Sequence, residues 1–365
     1  MKVVLVGPVY PFRGGIAHYT TMISRAFQAE GHDLLLVSFK RQYPRLLFPG
    51  RTDKDPSRDY LAVQDVKFWI DSLNPISWLW AYWRIHRFRP EVVVLPWWTT
   101  FWTPVWYCFG LLNRLLGDSP ITFICHNVLP HERHAVDPWL TRLGLRWGNQ
   151  FIVQSSDEAQ LLRSLLPRAK IKILPHPLYD FSSHHRIPQP EARRKLNLPK
   201  DGLVFLFFGI VRKYKGLMEL LELWPVIRSE LGKAILVIAG EFWDSKGLYL
   251  ARIKELGLEG AVVIDDRYIP NEELGIYFSA ADAVLAPYLR TTGSGVAQMA
   301  RGFGKPVVTR LVGRSPDKVD RQILVEIRKA LCGSQRSAAG GEAARGLLEE
   351  PTSTWPDLVR LICRR

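Results

Sequence analysis

Short, almost wholly apolar runs alternating with helix-length amphipathic stretches constrain this chain more than any other feature. Strands are expected at 2–6, 33–38, 91–95, 120–125 and 150–154, which read KVVLV, DLLLVS, EVVVL, PITFIC and QFIVQ. Runs this uniformly apolar suit a parallel sheet with helices on both faces. The segments 15–30, 76–88, 101–116, 136–147 and 156–166 have the length and spacing to be those helices.

The pattern then stops and restarts. Residues 175–190 (PHPLYDFSSHHRIPQP) hold four prolines and three histidines with little periodicity, which marks a linker. Beyond it, strands are expected at 203–209, 234–239, 261–265, 282–286 and 306–309, with helices at 215–230, 246–257, 271–280, 294–303 and 316–332. Residues 333–346 are small and polar, a loop with a weak helix, and Trp355 to Arg365 closes the chain as an amphipathic helix. The expected architecture is α/β: tandem Rossmann-like, doubly wound domains over 1–180 and 190–350, followed by a closing helix in 351–365. The facing C-terminal ends of their strands would form a central ligand cleft.

Lys and Arg number 49 against 35 Asp and Glu, a net charge of +14. That balance favours anionic partners, whether nucleotide phosphates, lipid headgroups or nucleic acid, without choosing among them. Cys108, Cys125, Cys332 and Cys363 show no CxxC spacing; three of them sit in apolar runs and are expected as reduced, buried thiols, which fits a cytoplasmic protein. Met1-Lys2 leads straight into a strand-length run, which is not the pattern of a signal peptide. No segment reaches the ~18 uninterrupted apolar residues of a membrane span.

Three strand-to-helix turns carry the chemistry. The first, Gly7 to Gly15, ends in the pair Gly14-Gly15 at a helix start, where backbone N–H groups can approach an anion; the alternative is a plain turn. It contains neither GxGxxG nor a P-loop lysine. The second, Gly209-Ile210-Val211-Arg212-Lys213-Tyr214-Lys215-Gly216, joins cations to a helix start and suits a diphosphate; the alternative is a solvated basic turn. The third runs from Tyr288 through Thr292, Gly293, Ser294 and Gly295 into a helix, again offering free N–H groups. Packing alone explains three such turns poorly.

The runs FLFFGIVRKYKGLMELLE, AGE at 239–241, DRYIPNEELGIYFSAADAVLAPY and SGVAQMARGFGKPVV closely resemble the donor domain of family 4 retaining glycosyltransferases, which have the GT-B fold. PFRGGIAHYT, CHNVLPHE at 125–132 and FIVQSS at 151–156 resemble the acceptor-side landmarks of the same family. The likeness covers roughly residues 1–320 in the right order. It implies that 1–180 binds the acceptor and 190–350 the nucleotide-sugar, which is a co-substrate, with no cofactor. The Asp265-Asp266 pair lacks the spacing of an Asp-x-Asp metal motif, and metal independence is expected. The resemblance implies further that Arg212 and Lys215 bind the donor diphosphate and stabilise the leaving group. Gly14 and Gly15 would lie against donor phosphates or acceptor, and His126 would hydrogen-bond the transferred sugar. Gly209 and the turn Thr292-Gly293-Ser294-Gly295 would complete the donor site. His131 and Glu132 would pin the loop that follows His126. Glu241, ending a strand after Ala239-Gly240, would either contact the base or ribose or cap the next helix.

The chain departs from the family at one place. Most members carry Glu-x7-Glu in the third turn, and aligning on Gly293 and Lys305-Pro306 puts Arg290 and Gln298 there. Gln298 can still hydrogen-bond a ribose hydroxyl, whereas Arg290 has no acceptor. A Thr-Gln-Ser-Gly form in some relatives resembles Thr292 to Gly295, with backbone N–H groups doing the work. The acceptor would be a glycan, a lipid-linked molecule or a small molecule. The competing expectations are a catalytically silent sugar-nucleotide- or partner-binding protein of the same fold, and a nucleotide-sugar epimerase. Nucleic acid is not an expected partner.

Eight of the thirteen tryptophans fall between Trp69 and Trp106. They would form either a large aromatic core or, with the basic helix 76–88, a peripheral contact with an anionic membrane at its inner, cytoplasmic face.

Overall fold

The computed structural model describes residues 1–58, 63–117, 119–179, 186–288, 295–309, 324–332 and 353–364. The chain divides into two compact units: residues 1–55, 60–177 and 352–365 form the first, and 56–59 with 178–351 the second.

The first unit is a seven-stranded sheet in which every described pairing is parallel, in the order β3-β2-β1-β4-β5-β6-β7. Its strands are β1 (Lys2–Val6), β2 (Asp33–Arg41), β3 (Lys67–Asp71), β4 (Val92–Trp97), β5 (Ile121–Cys125), β6 (Gln150–Val153) and β7 (Ile171–Ile173). Helices α1 (Gly15–Ala29), α2 (Pro75–Phe88), α3 (Thr103–Leu116), α4 (Asp137–Leu145) and α5 (Ser156–Leu165) connect them. The inner strands β4 and β5 are buried along their whole length, as their unbroken apolar sequences require. Val4, Val93, Leu95 and Phe123 pack with Trp97, Trp102 and Trp106 in one core. The C-terminal helix Trp355–Cys363 packs on α1, with a capping box formed by Thr354 and Asp357.

The second unit repeats the plan with five parallel strands in the order β10-β9-β8-β11-β12. These are β8 (Leu203–Phe208), β9 (Ala234–Ala239), β10 (Val262–Asp265), β11 (Ala283–Leu285) and β12 (Val307–Val308). The helices are α6 (Gln189–Lys195), α7 (Leu217–Leu231), α8 (Lys246–Glu255), α9 (Asn271–Ala280), α10 (Gly295–Gly302) and α11 (324–332). A second core gathers Phe205, Phe207, Leu220, Trp224, Leu236 and Ile238.

Three elements differ from expectation. Edge strands β3 and β7 arise from runs too short and half-polar to be expected as strands. Helix α6 begins inside the stretch read as linker, because Arg193 is buried there and binds Asp282 at 2.8 Å. The cysteines also need correction. All four are free thiols, but only Cys125 is buried; Cys108 and Cys363 are half-buried, and Cys332 is exposed at the end of α11. Among the described residues no helix is long and apolar enough to cross a membrane.

Candidate functional site

In each sheet the strand order reverses beside its first strand: β2 and β4 flank β1, and β9 and β11 flank β8. Ligands of doubly wound sheets bind outside the strand C-termini at this switch point. The turns after β1 and β8 are two of the three glycine-bearing turns that the sequence singled out.

The turn after β8 gathers several expected site residues. Gly209 follows the strand, and its N–H donates to Ala239 O at 2.9 Å. Val211 N–H donates to the carbonyl of Glu241 at 2.9 Å, which ties the turn to the end of β9. A single 3₁₀ turn, Lys213–Lys215, then leads into α7 through Gly216. Gly216 has φ +72°, and a Cβ there would lie 2.1 Å from the carbonyl oxygen of Pro287. Only glycine fits, and the close approach joins the turn after β8 to the turn after β11 across the switch.

Lys215 is 8% exposed. Its Nζ lies against Gly209, 3.1 Å from where a Cβ of that residue would stand, and 5.6 Å from the Tyr288 ring centroid. Among the described residues no carboxylate pairs with it. Burial and the neighbouring Arg212 lower its pKa to about 8. The Arg212 guanidinium lies 5.6 Å from the Trp243 ring centroid. Two cations therefore converge on the switch point, one of them taken out of water, and a nearby multivalent anion would offset that cost. Glu241 is 2% exposed and lies two residues past β9, its carbonyl held by Val211 N–H. Gly295 opens α10, and Gln298 is half-buried one turn on. The side chain of Val296 approaches Gly209. Thr292, Gly293, Ser294 and Arg290 lie outside the described residues.

Asp265 and Asp266, the adjacent acids of this unit, are engaged in ion pairs. Asp265 accepts from Arg267 at 3.0 Å and from the Tyr277 hydroxyl. Asp266 accepts from Phe242 N–H at 3.1 Å and from Lys246 at 3.2 Å.

In the first unit, Gly14 is the N-cap of α1 with φ +102° and ψ 174°, a region closed to other residues. A Cβ on either Gly14 or Gly15 would meet nothing within 4 Å, so the backbone at this helix start is open. One turn into α1, Tyr19 meets His126 edge-on at 4.6 Å. His126 follows β5, is 8% exposed, and donates its N–H to Trp97 O at 2.8 Å. Burial, with His176 adding to it, lowers its pKa to about 3, so the ring is neutral and can both donate and accept.

Three residues that sequence reading missed support this loop. His176 also meets Tyr19 edge-on at 5.1 Å, and Trp355 contacts Tyr19 at 5.0 Å. Glu158, 5% exposed on α5, accepts from Val128 N–H, while Trp97 Nε1 donates to Val128 O at 3.1 Å. Both polar groups of Val128 are thereby fixed, two residues after His126. His131 is half-buried and Glu132 exposed.

Comparison with known proteins places these features in a family. Residues 14–177 match the family described as "Glycosyl transferase 4-like domain", and 202–349 match "Glycosyl transferases group 1". The chain is 33% identical over 158 residues to a D-inositol 3-phosphate glycosyltransferase of Nocardioides, covering 38% of this chain and 33% of that protein. It is 31% identical over 232 residues to the Actinosynnema mirum protein of the same name, covering 57% of this chain and 54% of that one. The chain thus spans a third to about half the length of these curated relatives. Among solved structures, Anabaena HepE in complex with UDP-glucose superposes with a TM-score of 0.69 at 14% identity, covering 99% of this chain and 98% of that one.

Proposed function

We propose, since this chain belongs to the family 4 glycosyltransferases and has their GT-B fold, that it transfers a sugar from a nucleotide-sugar to an acceptor hydroxyl with retention of anomeric configuration. The observation that carries this reading is the buried Lys215 beside Arg212 at the switch point of the second unit. A cation held there without a carboxylate partner among the described residues fits a diphosphate, as does the binding of UDP-glucose by HepE.

Arg212 and Lys215 would stabilise the negative charge that develops on the departing diphosphate. The acceptor hydroxyl would attack from the face the leaving group vacates. Its proton would pass to the leaving phosphate oxygen, so no protein nucleophile is required. Neutral His126 would hydrogen-bond a hydroxyl of the transferred sugar and hold it in register. Gly14, Gly15, Gly209 and the α10 start would contribute backbone N–H groups, and Gln298 and Glu241 the contacts to ribose or base. Metal independence belongs to this reading, because Asp265 and Asp266 are already committed to Arg267 and Lys246. The acceptor is a glycan, a lipid-linked molecule or a small molecule, met by a cytoplasmic protein in peripheral contact with an anionic membrane at its inner face.

Thermal-shift screening of UDP-, GDP- and ADP-sugars, followed by donor hydrolysis and transfer assays, tests the proposal. Stabilisation by one nucleotide class and EDTA-resistant turnover are expected. Turnover that EDTA abolishes and Mg²⁺ restores would refute the metal-free mechanism. Folded protein that neither binds nor turns over any donor would refute the activity.

A further inference from the structure

The tryptophan-rich segment divides in the structure. Trp97, Trp102 and Trp106 are wholly buried, whereas Trp80 and Trp83 on α2 are 43% and 44% exposed. Ala81, Tyr82 and Ile85 form the buried face of α2. Its exposed face carries Ile76, Leu79, Trp80 and Trp83, continuing into Arg84 and Arg87, at the i, i+3, i+4, i+7, i+8 and i+11 spacing of a single stripe. Helix α3 packs alongside, with Tyr82 donating to Asn113 at 3.0 Å. Its last turns expose Leu111, Leu115 and Leu116 with Arg114. A surface helix ordinarily turns polar residues outward; these two turn out aromatic and aliphatic ones.

The charge on this face has one sign. Between Asp71 and Asp118 the only acid is Glu91, and it accepts from the backbone N–H of Lys2 at 2.8 Å. Over the same stretch stand Arg84, Arg87, Arg89 and Arg114. The Arg87 guanidinium lies 4.8 Å from the Trp83 ring centroid, and that of Arg84 lies 5.5 Å from Trp80. Aromatic rings and guanidinium heads side by side above aliphatic residues match the bilayer interface, apolar below and anionic at headgroup level. Two copies meeting through this face would set the arginines of one against those of the other without intervening acids.

We propose that the exposed face of α2, with the last turns of α3, docks on a bilayer that carries anionic phospholipid. Trp80 and Trp83 sit at headgroup level, Ile76 and Leu79 reach the acyl boundary, and Arg84 and Arg87 bind lipid phosphates. The inference deepens the membrane contact included in the proposed function and rests on that reading for its purpose, to meet a lipid-borne acceptor. The docking itself is independent of the chemistry.

Flotation of the full chain with phosphatidylcholine vesicles, alone or mixed with phosphatidylglycerol, tests it. The protein should float with the mixed vesicles and stay behind with the neutral ones. Arg84→Gln with Arg87→Gln should weaken binding by about fivefold for each arginine removed. Trp80→Ser with Trp83→Ser should abolish flotation. These side chains are exposed, and unchanged circular dichroism will certify the fold of each variant. Equal flotation with both vesicle types, variants that float like the parent, or a dimer in size-exclusion chromatography that the Trp80/Trp83 variant dissociates would each overturn the proposal. Donor hydrolysis in vesicle-free buffer separates the two claims. Variants that lose flotation should hydrolyse donor at the parental rate. A parent that floats but turns over no donor would defeat the enzymatic reading and leave the docking intact.

Discussion

Lys215 shows at the residue scale how the proposed function sets stability against binding. A lysine pushed from its ordinary 10.5 to about 8 by burial is held in the fold at a cost, which is largest below pH 8, where it stays charged. Between pH 8 and 10.5 the unfolded chain binds more protons at this group, so its contribution to stability improves as pH rises. Lys215→Met should therefore raise the stability of the ligand-free protein, by on the order of 1–3 kcal/mol near neutrality. It should also eliminate the thermal shift produced by a nucleoside diphosphate, and differential scanning with and without UDP reads both effects. In the parent, the dissociation constant for the diphosphate should be flat between about pH 7, above the second ionisation of a terminal phosphate, and pH 8, and rise beyond it, as the free protein loses the proton the anion needs. A flat calorimetric profile to pH 9.5 would remove Lys215 from the site. Arg212→Ala and Lys215→Ala should each lower turnover by about 10²–10³-fold with the fold retained; near-parental rates in either would sink the diphosphate assignment.

At the scale of elements, the site is built by turns whose geometry is set from a distance. The turn after β8 was legible because its signal is local: glycines and cations sit between an apolar run and an amphipathic one. The buried strands were legible for the same reason. Edge strands β3 and β7 were not, since residues exposed on one side, such as Phe68 and Ile173, leave a run too short and mixed to stand out. Glu158 falls within the helix expected over 156–166, and its service to Val128 depends on a contact 30 residues away. The Tyr19–His176 contact spans far more of the chain, and no spacing rule reports it. Burial raises the Glu158 carboxyl above its usual range and the Val128 N–H partly offsets this, so the side chain is worth most as an acceptor. Glu158→Ala should cost about 1–3 kcal/mol in urea unfolding, through the unpaired Val128 N–H, and lower kcat through the loosened His126 loop. Glu158→Gln keeps an acceptor oxygen and should recover most of both. Equal losses in the two variants would mean that the carboxylate's charge, and not its hydrogen bond, holds the loop.

At the scale of the whole molecule, the titratable groups are divided unequally between the units, so acid should act on one before the other. His126 and His176 lie in the first unit, and burial lowers them to about 3 and about 4. Histidines in the unfolded chain take up protons near 6.5, so between that value and the lowered ones the unfolded state holds more protons and stability falls with falling pH. The loss begins near pH 6.5 and amounts to on the order of 1 kcal/mol per histidine for each pH unit. Glu158, raised by burial, works in the opposite sense, but only as pH approaches the carboxylate range, and as one group against two. None of the described residues of the second unit is histidine, and Lys215 contributes no slope below pH 8. Two calorimetric transitions should therefore separate as pH falls from 7 to 5, the earlier one belonging to the first unit. That assignment is checkable by fluorescence, because eleven of the thirteen tryptophans lie in the first unit and only Trp224 and Trp243 in the second. The tryptophan emission change should follow the transition that moves with pH, and protection by a nucleotide-sugar should fall on the one that does not. Coincident transitions at pH 5, or emission that tracks the pH-insensitive step, would show that the buried histidines do not govern the acid response.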